Sequence, residues 1–217
     1  MRDIRDRALV AVAYDTMCRR EELVSLRVED MAEAGDGSGS ILIRRSKTDT
    51  TGEGATAYLS PLTMRLLSEW ISKAGIKEGA VFVRVVGNAT GMLQRTEVRK
   101  TSRSRASGPP SSSEGTTPEQ LGQTKNAVGS SLTPQVVATV LQKVGQWIGL
   151  EKKEWVRISG HSCRVGAAQD LLALNISLAS VMQTGRWKDT RMPMRYAERV
   201  LATRGGMAQA AKDQGKL

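Results

Sequence analysis

One histidine, one phenylalanine and two cysteines are spread over 217 residues, and aromatic side chains make up only 4% of the chain. A zinc centre built from histidine and cysteine needs three or four ligands, so His161, Cys18 and Cys163 cannot supply one by themselves. Two cysteines are also too few for a disulfide framework. No apolar run reaches the ~18 residues of a membrane span, and Met1 is followed by charged residues rather than a signal peptide. A chain of this kind is expected in the cytoplasm, with no membrane partner. Acidic residues are scarce as well. Lys and Arg total 32 against 22 Asp and Glu, giving a net charge of +10 and a positive field suited to a polyanion. Nucleic acid is the leading partner class.

What is present reads as one α+β domain at the upper end of ordinary single-domain size. Apolar residues at helical spacing, Ile4, Ala8, Leu9, Val12, Ala13, Met17, Leu23 and Leu26, predict a helix from Asp3 to Leu26. Ser40 to Arg45 and Ala55 to Leu59 read as the strands of a hairpin with Lys47 at its tip. Ser60-Pro61 starts a helix to about Lys73, and Val81 to Val86 reads as a strand. From Arg95 to Ser131 the chain turns basic and then rich in Ser, Thr, Gly and Pro. That composition buries too little apolar surface to offset ordering, so residues 100–131 are expected to form a flexible loop. Thr133-Pro134 restarts helix to about Ile148. Further helices are expected over 162–174, 178–183, around Tyr196 and over 207–212, with Gly205-Gly206 separating the last. The domain therefore reads as mostly helical with a small antiparallel sheet.

Ser159-Gly160-His161-Ser162-Cys163-Arg164-Val165-Gly166-Ala167-Ala168 sets His161 and Arg164 three residues apart at a helix start, so both face one site. A thiol nucleophile at Cys18 or Cys163 lacks a second histidine to serve as base, and both cysteines read as small buried apolar residues. Together with Asp3-Ile4-Arg5, Ala13-Tyr14-Asp15-Thr16, Arg19-x-x-Glu22-Leu23, Arg45-Ser46-Lys47-Thr48, Glu69-Trp70-Ile71 and Gly185-x-Trp187 followed by Tyr196, this block resembles the tyrosine recombinases of the phage integrase family. The resemblance covers nearly the whole chain apart from the Ser-rich loop.

The resemblance implies cleavage and rejoining of double-stranded DNA through a 3′-phosphotyrosyl bond, with no cofactor, no ATP and no metal. Breaking a phosphodiester needs a nucleophile, neutralisation of charge on the non-bridging oxygens and a proton for the leaving oxygen. Arginine's planar, permanently charged fork suits phosphate, and the resemblance assigns that clamp to Arg19 and Arg164. Glu22 is expected to orient active-site groups, although an ordinary ion pair with Arg19 would explain it too. Arg20 adjoins Arg19, and the spacing to Glu22 and Leu23 favours Arg19. By the same resemblance Lys47 protonates the leaving 5′ oxygen. His161 binds phosphate and assists proton transfer, the Trp187 indole N–H donates to phosphate, and Tyr196 is the nucleophile. Tyr14 and Tyr58 read as core residues.

Relatives of this kind usually carry an N-terminal DNA-binding domain, which is expected to be absent here. Residues 205–217 match in outline the tail that members insert into a neighbouring protomer, implying a homotetramer on DNA. A phage or plasmid-type element acting at the bacterial nucleoid is the expected setting. A type IB topoisomerase, a helix-turn-helix regulator over 162–183 and an inactive remnant of a mobile element stand as alternatives.

Overall fold

Ala8, Leu9, Val12 and Ala13 are all buried on one face of the first helix, α1 (Arg2–Thr16), as their spacing requires. The helix ends at Met17, which takes the left-handed conformation at φ 49° and returns its N–H to the Tyr14 carbonyl. A second helix, α2 (Arg20–Ser25), then starts, and the Glu22 carboxylate accepts the Arg19 backbone N–H at 2.9 Å. The single helix expected from Asp3 to Leu26 is therefore two. Apolar periodicity continues across the break, so it could not register one residue with inverted φ.

The computed structural model describes residues 1–45, 52–85 and 128–215. Lys47, at the expected hairpin tip, and residues 86–127, which include most of the loop expected over 100–131, lie outside the described residues. Those described belong to one unit, Met1–Val85 with Val128–Leu217. Its three-stranded antiparallel sheet runs β1 (Met31–Glu33), β2 (Gly39–Ile43), β3 (Ala55–Leu59), with Gly39 opposite Leu59 and Ile43 opposite Ala55. Helix α3 (Pro61–Ala74) follows, capped by the Ser60 hydroxyl, which accepts the Thr63 N–H at 3.3 Å. It buries Trp70 completely, and that indole donates to the Val81 carbonyl at 2.8 Å.

Strand β4 (Val83–Val85) pairs antiparallel with β5 (Val128–Ser131). The expected loop therefore ends before Ser131, because its last four residues are strand. Composition misleads here for a physical reason. A Cβ on Gly129 would lie 2.5 Å from the Arg84 carbonyl oxygen, so glycine is what lets the backbones approach. Beyond it run α4 (Pro134–Trp147), the short α5 (Lys152–Trp155), α6 (Ser162–Ala173), α7 (Leu178–Gly185), α8 (Arg191–Arg204) and α9 (Gly206–Asp213).

Two apolar clusters organise the unit. The larger joins α1 to α3, the sheet and α4, through Leu9, Leu23, Ile41, Leu59, Trp70 and Val140 among others. Full burial of such side chains contributes about 1.5–3 kcal/mol each before entropy is charged. The smaller gathers Met17, Ala167, Ala168 and Val181, with half-buried Trp187 and Tyr196 against it. Met17 belongs to the second cluster and Cys18 to the first, so the α1–α2 junction is where the chain passes from one to the other.

Candidate active site

Helix α6 brings Arg164 inward, leaving only 3% of it exposed. A buried guanidinium needs acceptors, and these come from two ends of the fold. Nη1 donates to the Met17 carbonyl at 2.5 Å and Nη2 donates to the Gly185 carbonyl. Its Cζ also lies 4.3 Å from the centre of the Trp187 ring, a cation–π contact. Burial, with the neighbouring charges of Arg19 and Arg186, pulls its pKa down to about 10, so it remains a cation at neutral pH.

Glu22, 3% exposed, forms ion pairs with two of these cations, Arg19 and Arg186. Its Oε1 accepts Arg19 Nη1 at 2.7 Å, while Oε2 accepts the Arg19 backbone N–H at 2.9 Å and Arg186 Nη2 at 3.0 Å. Arg20 diverges from this group. It pairs with Glu21 at 2.8 Å on the surface, and its side chain lies over Gly160, next to His161. Thus Arg19, not Arg20, joins Glu22, in line with the spacing.

Tyr196 sits in α8 with its ring centroid 6.0 Å from that of Trp187, the planes tilted by 59°. Its backbone carbonyl accepts Gln169 Nε2 at 3.0 Å, which ties α8 to α6. His161 occupies the N-cap of α6 and is exposed. Arg19 is therefore joined to Glu22, Arg164 and Tyr196 both meet Trp187, and His161 lies at the start of the helix that carries Arg164. Lys47 is outside the described residues.

Two further tyrosines depart from expectation. Tyr14 is 42% exposed and donates its hydroxyl to Asp170 at 2.7 Å, and Tyr58 is 59% exposed, so neither is a core residue. Tyr58 faces out because alternation along β3 buries Ala57 and Leu59 instead. The two thiols behave as buried groups. Burial pushes Cys18 and Cys163 each up to about 11, far from the range of a reactive thiolate. No group of three or more metal-ligating side chains occurs among the described residues.

Sequence reasoning passed over Arg186, although it stands inside the quoted Gly185-x-Trp187 motif. Its side chain is 11% exposed, and it reaches Glu22 and the end of α1. The only signal available was its place between two residues already singled out.

The phage integrase family model matches residues 1–201. The chain belongs to that family. Among its relatives, the recombinase Cre of Escherichia phage P1 is 26% identical over 218 residues, covering 97% of this chain and 54% of Cre. An integrase/recombinase XerD homolog of Selenomonas ruminantium is 25% identical over 201 residues, covering 90% of this chain and 47% of the relative. The chain thus spans about half the length of the curated relatives it matches. Among solved structures, XerH recombinase bound to its difH substrate superposes with a TM-score of 0.57 at 17% identity, over 89% of this chain and 42% of XerH. XerA recombinase does so at 0.58 and 12% identity, over 94% of this chain and 58% of XerA. These likenesses establish the fold as that of a tyrosine recombinase catalytic domain.

Proposed function

We propose that this chain is the catalytic domain of a site-specific DNA recombinase that cuts and rejoins duplex DNA with Tyr196 as nucleophile. The observation that carries the reading is the pair of guanidinium groups Arg19 and Arg164, the first held by Glu22 and the second stacked on the Trp187 indole against which Tyr196 packs. Fixed positive charge in a partly buried setting is what a phosphodiester and its more highly charged transition state require.

In the proposed reaction the Tyr196 oxygen attacks phosphorus, a 3′-phosphotyrosyl bond forms and the bond to the 5′ oxygen breaks. Arg19 and Arg164 neutralise the non-bridging oxygens, His161 binds phosphate and assists removal of the tyrosine proton, and the Trp187 indole N–H donates to phosphate. Glu22 holds Arg19. Lys47 supplies the proton that the leaving 5′ oxygen takes up. Attack by a 5′-hydroxyl of the partner strand reverses the step, conserving the bond energy without ATP or metal. Membership of the family, likeness to recombinases and a charge of +10 support duplex DNA as substrate.

Assembly as a homotetramer on DNA with exchange of the C-terminal tail belongs to the same proposal. It is supported by α9, which buries no residue against its own chain and leaves Met207 86% exposed. No helix among the described residues is long and apolar enough to cross a membrane. Work on the nucleoid of a bacterium, as part of a phage or plasmid-type element, is the setting proposed.

The test is covalent capture. A pool of nicked duplexes, randomised over about one helical turn either side of the nick, is incubated with the protein and resolved by denaturing electrophoresis. A protein–DNA adduct is expected for the wild type and none for Tyr196→Phe. No adduct at DNA concentrations that saturate binding sinks the enzymatic reading, and an adduct that persists in Tyr196→Phe sinks the nucleophile.

A further inference from the structure

Arg186 is the C-cap of α7 and takes the left-handed conformation at φ 54°, where glycine is the ordinary residue. A side chain that tolerates this strain needs a compensating role. Its guanidinium is spread over acceptors from two other parts of the fold. Nη1 donates to the Thr16 carbonyl at 2.9 Å and to the Thr184 carbonyl at 3.2 Å. Nη2 donates to Glu22 Oε2 at 3.0 Å and to the Met17 carbonyl at 3.4 Å, and Nε is buried with no acceptor among the described residues. Thr16 and Met17 lie at the end of α1, where unsatisfied carbonyls and the negative end of the helix dipole favour a cation. Two of these acceptors are shared. The Met17 carbonyl also takes Arg164 Nη1, and Glu22 also takes Arg19.

We propose that Arg186 is a positioning residue that locks the turn carrying Trp187, and through it the entry to the Tyr196 helix, onto the α1–α2 junction carrying Arg19. The inference rests on the proposed function and adds to it a residue to which that reading gives no part in holding phosphate or in attack. The lock is geometric. One planar fork fixes the Thr16–Met17 carbonyls, Glu22 and its own turn at once, and a lysine, with a single nitrogen, reaches only part of that set.

One duplex recovered from the captured pool serves as substrate for single-turnover adduct formation by wild type, Arg186→Gln, Arg186→Lys and Tyr196→Phe. At saturating DNA the rate constant is expected to fall on the order of ten to a hundredfold in Arg186→Gln and less in Arg186→Lys, since an ångström of misplacement costs about that much. The final fraction captured and the DNA concentration for half-saturation should stay at wild-type values. A merely structural role would lower the fraction captured and leave the rate constant alone, which overturns the proposal, as does an unchanged rate in Arg186→Gln. Full recovery in Arg186→Lys overturns it too, because charge rather than geometry would then suffice. Failure of the parent reading is distinct: wild type itself then forms no adduct, and the inference falls with it.

Discussion

Gly185 offers the sharpest test of how tightly this site is built. It is buried at the end of α7, its carbonyl accepts Arg164 Nη2, and a Cβ placed on it would come within 3.0 Å of three carbons of the Trp187 indole. Gly185→Ala therefore cannot be absorbed by a flexible chain end. The ring must retreat by about 1 Å or more to reach ordinary carbon–carbon contact. That ring is the surface on which Arg164 stacks, 4.3 Å from its centroid, and against which Tyr196 packs. Overpacking of this kind costs about 1–3 kcal/mol. In a chain of 217 residues each kcal/mol lowers the melting temperature by about 2–4 °C. The adduct rate should fall on the order of a hundredfold, the cost of an ångström of misplacement. Circular-dichroism melting and single-turnover capture read the two effects. The double variant Gly185→Ala/Trp187→Ala should melt no lower than Trp187→Ala alone, since the clash is gone. Wild-type melting and wild-type capture in Gly185→Ala would refute the packing argument.

The Tyr14–Asp170 contact makes a prediction about pH. Its hydrogen bond to Asp170, followed by burial, raises the Tyr14 hydroxyl from 10.0 to about 12, so the folded chain holds that proton more tightly than the unfolded one. The stability this pair contributes is fully present below pH 10 and is lost as pH climbs toward 12. The melting-temperature advantage of wild type over Tyr14→Phe should shrink across that window, and a constant difference would contradict the assignment. For the thiols, a rise from 9.0 to about 11 at Cys18 and at Cys163 cuts the thiolate fraction on the order of a hundredfold. Iodoacetamide should label both far more slowly in the native protein than in urea at pH 8, and rapid native labelling would show a reactive cysteine.

Much of the fold was legible because most of it is governed by local rules. The hairpin of β2 and β3 follows from alternation, and α3 starts at Pro61 because Ser60 supplies the cap. Helix α6 begins one residue after His161, so the three-residue spacing of His161 and Arg164 did reflect a helix start. Errors arose where a distant partner or one dihedral decided the outcome. Met17 breaks a helix that apolar spacing would continue, and β5 forms from a Ser and Gly-rich stretch because β4 lies alongside it. Tyr14 left the core because Asp170, 156 residues away, offers its hydroxyl a partner.

By itself the sequence determined the chemical inventory: a basic α+β chain with arginines, one histidine, a tryptophan and a tyrosine in the order of the phage integrase family, and too few cysteines and histidines for a zinc centre built from those two residue types alone. Residue type and spacing suffice for that, since they are properties of the chain before it folds. Only the tertiary structure decided how the inventory is held together. It sets Arg164 between two carbonyls and an indole, divides the Glu22 oxygens between Arg19 and Arg186, and turns an unremarked residue in a three-residue motif into the link between two helix ends. Each of those contacts joins residues roughly 20 to 170 positions apart or depends on which way a buried fork points, and no local pattern carries that information.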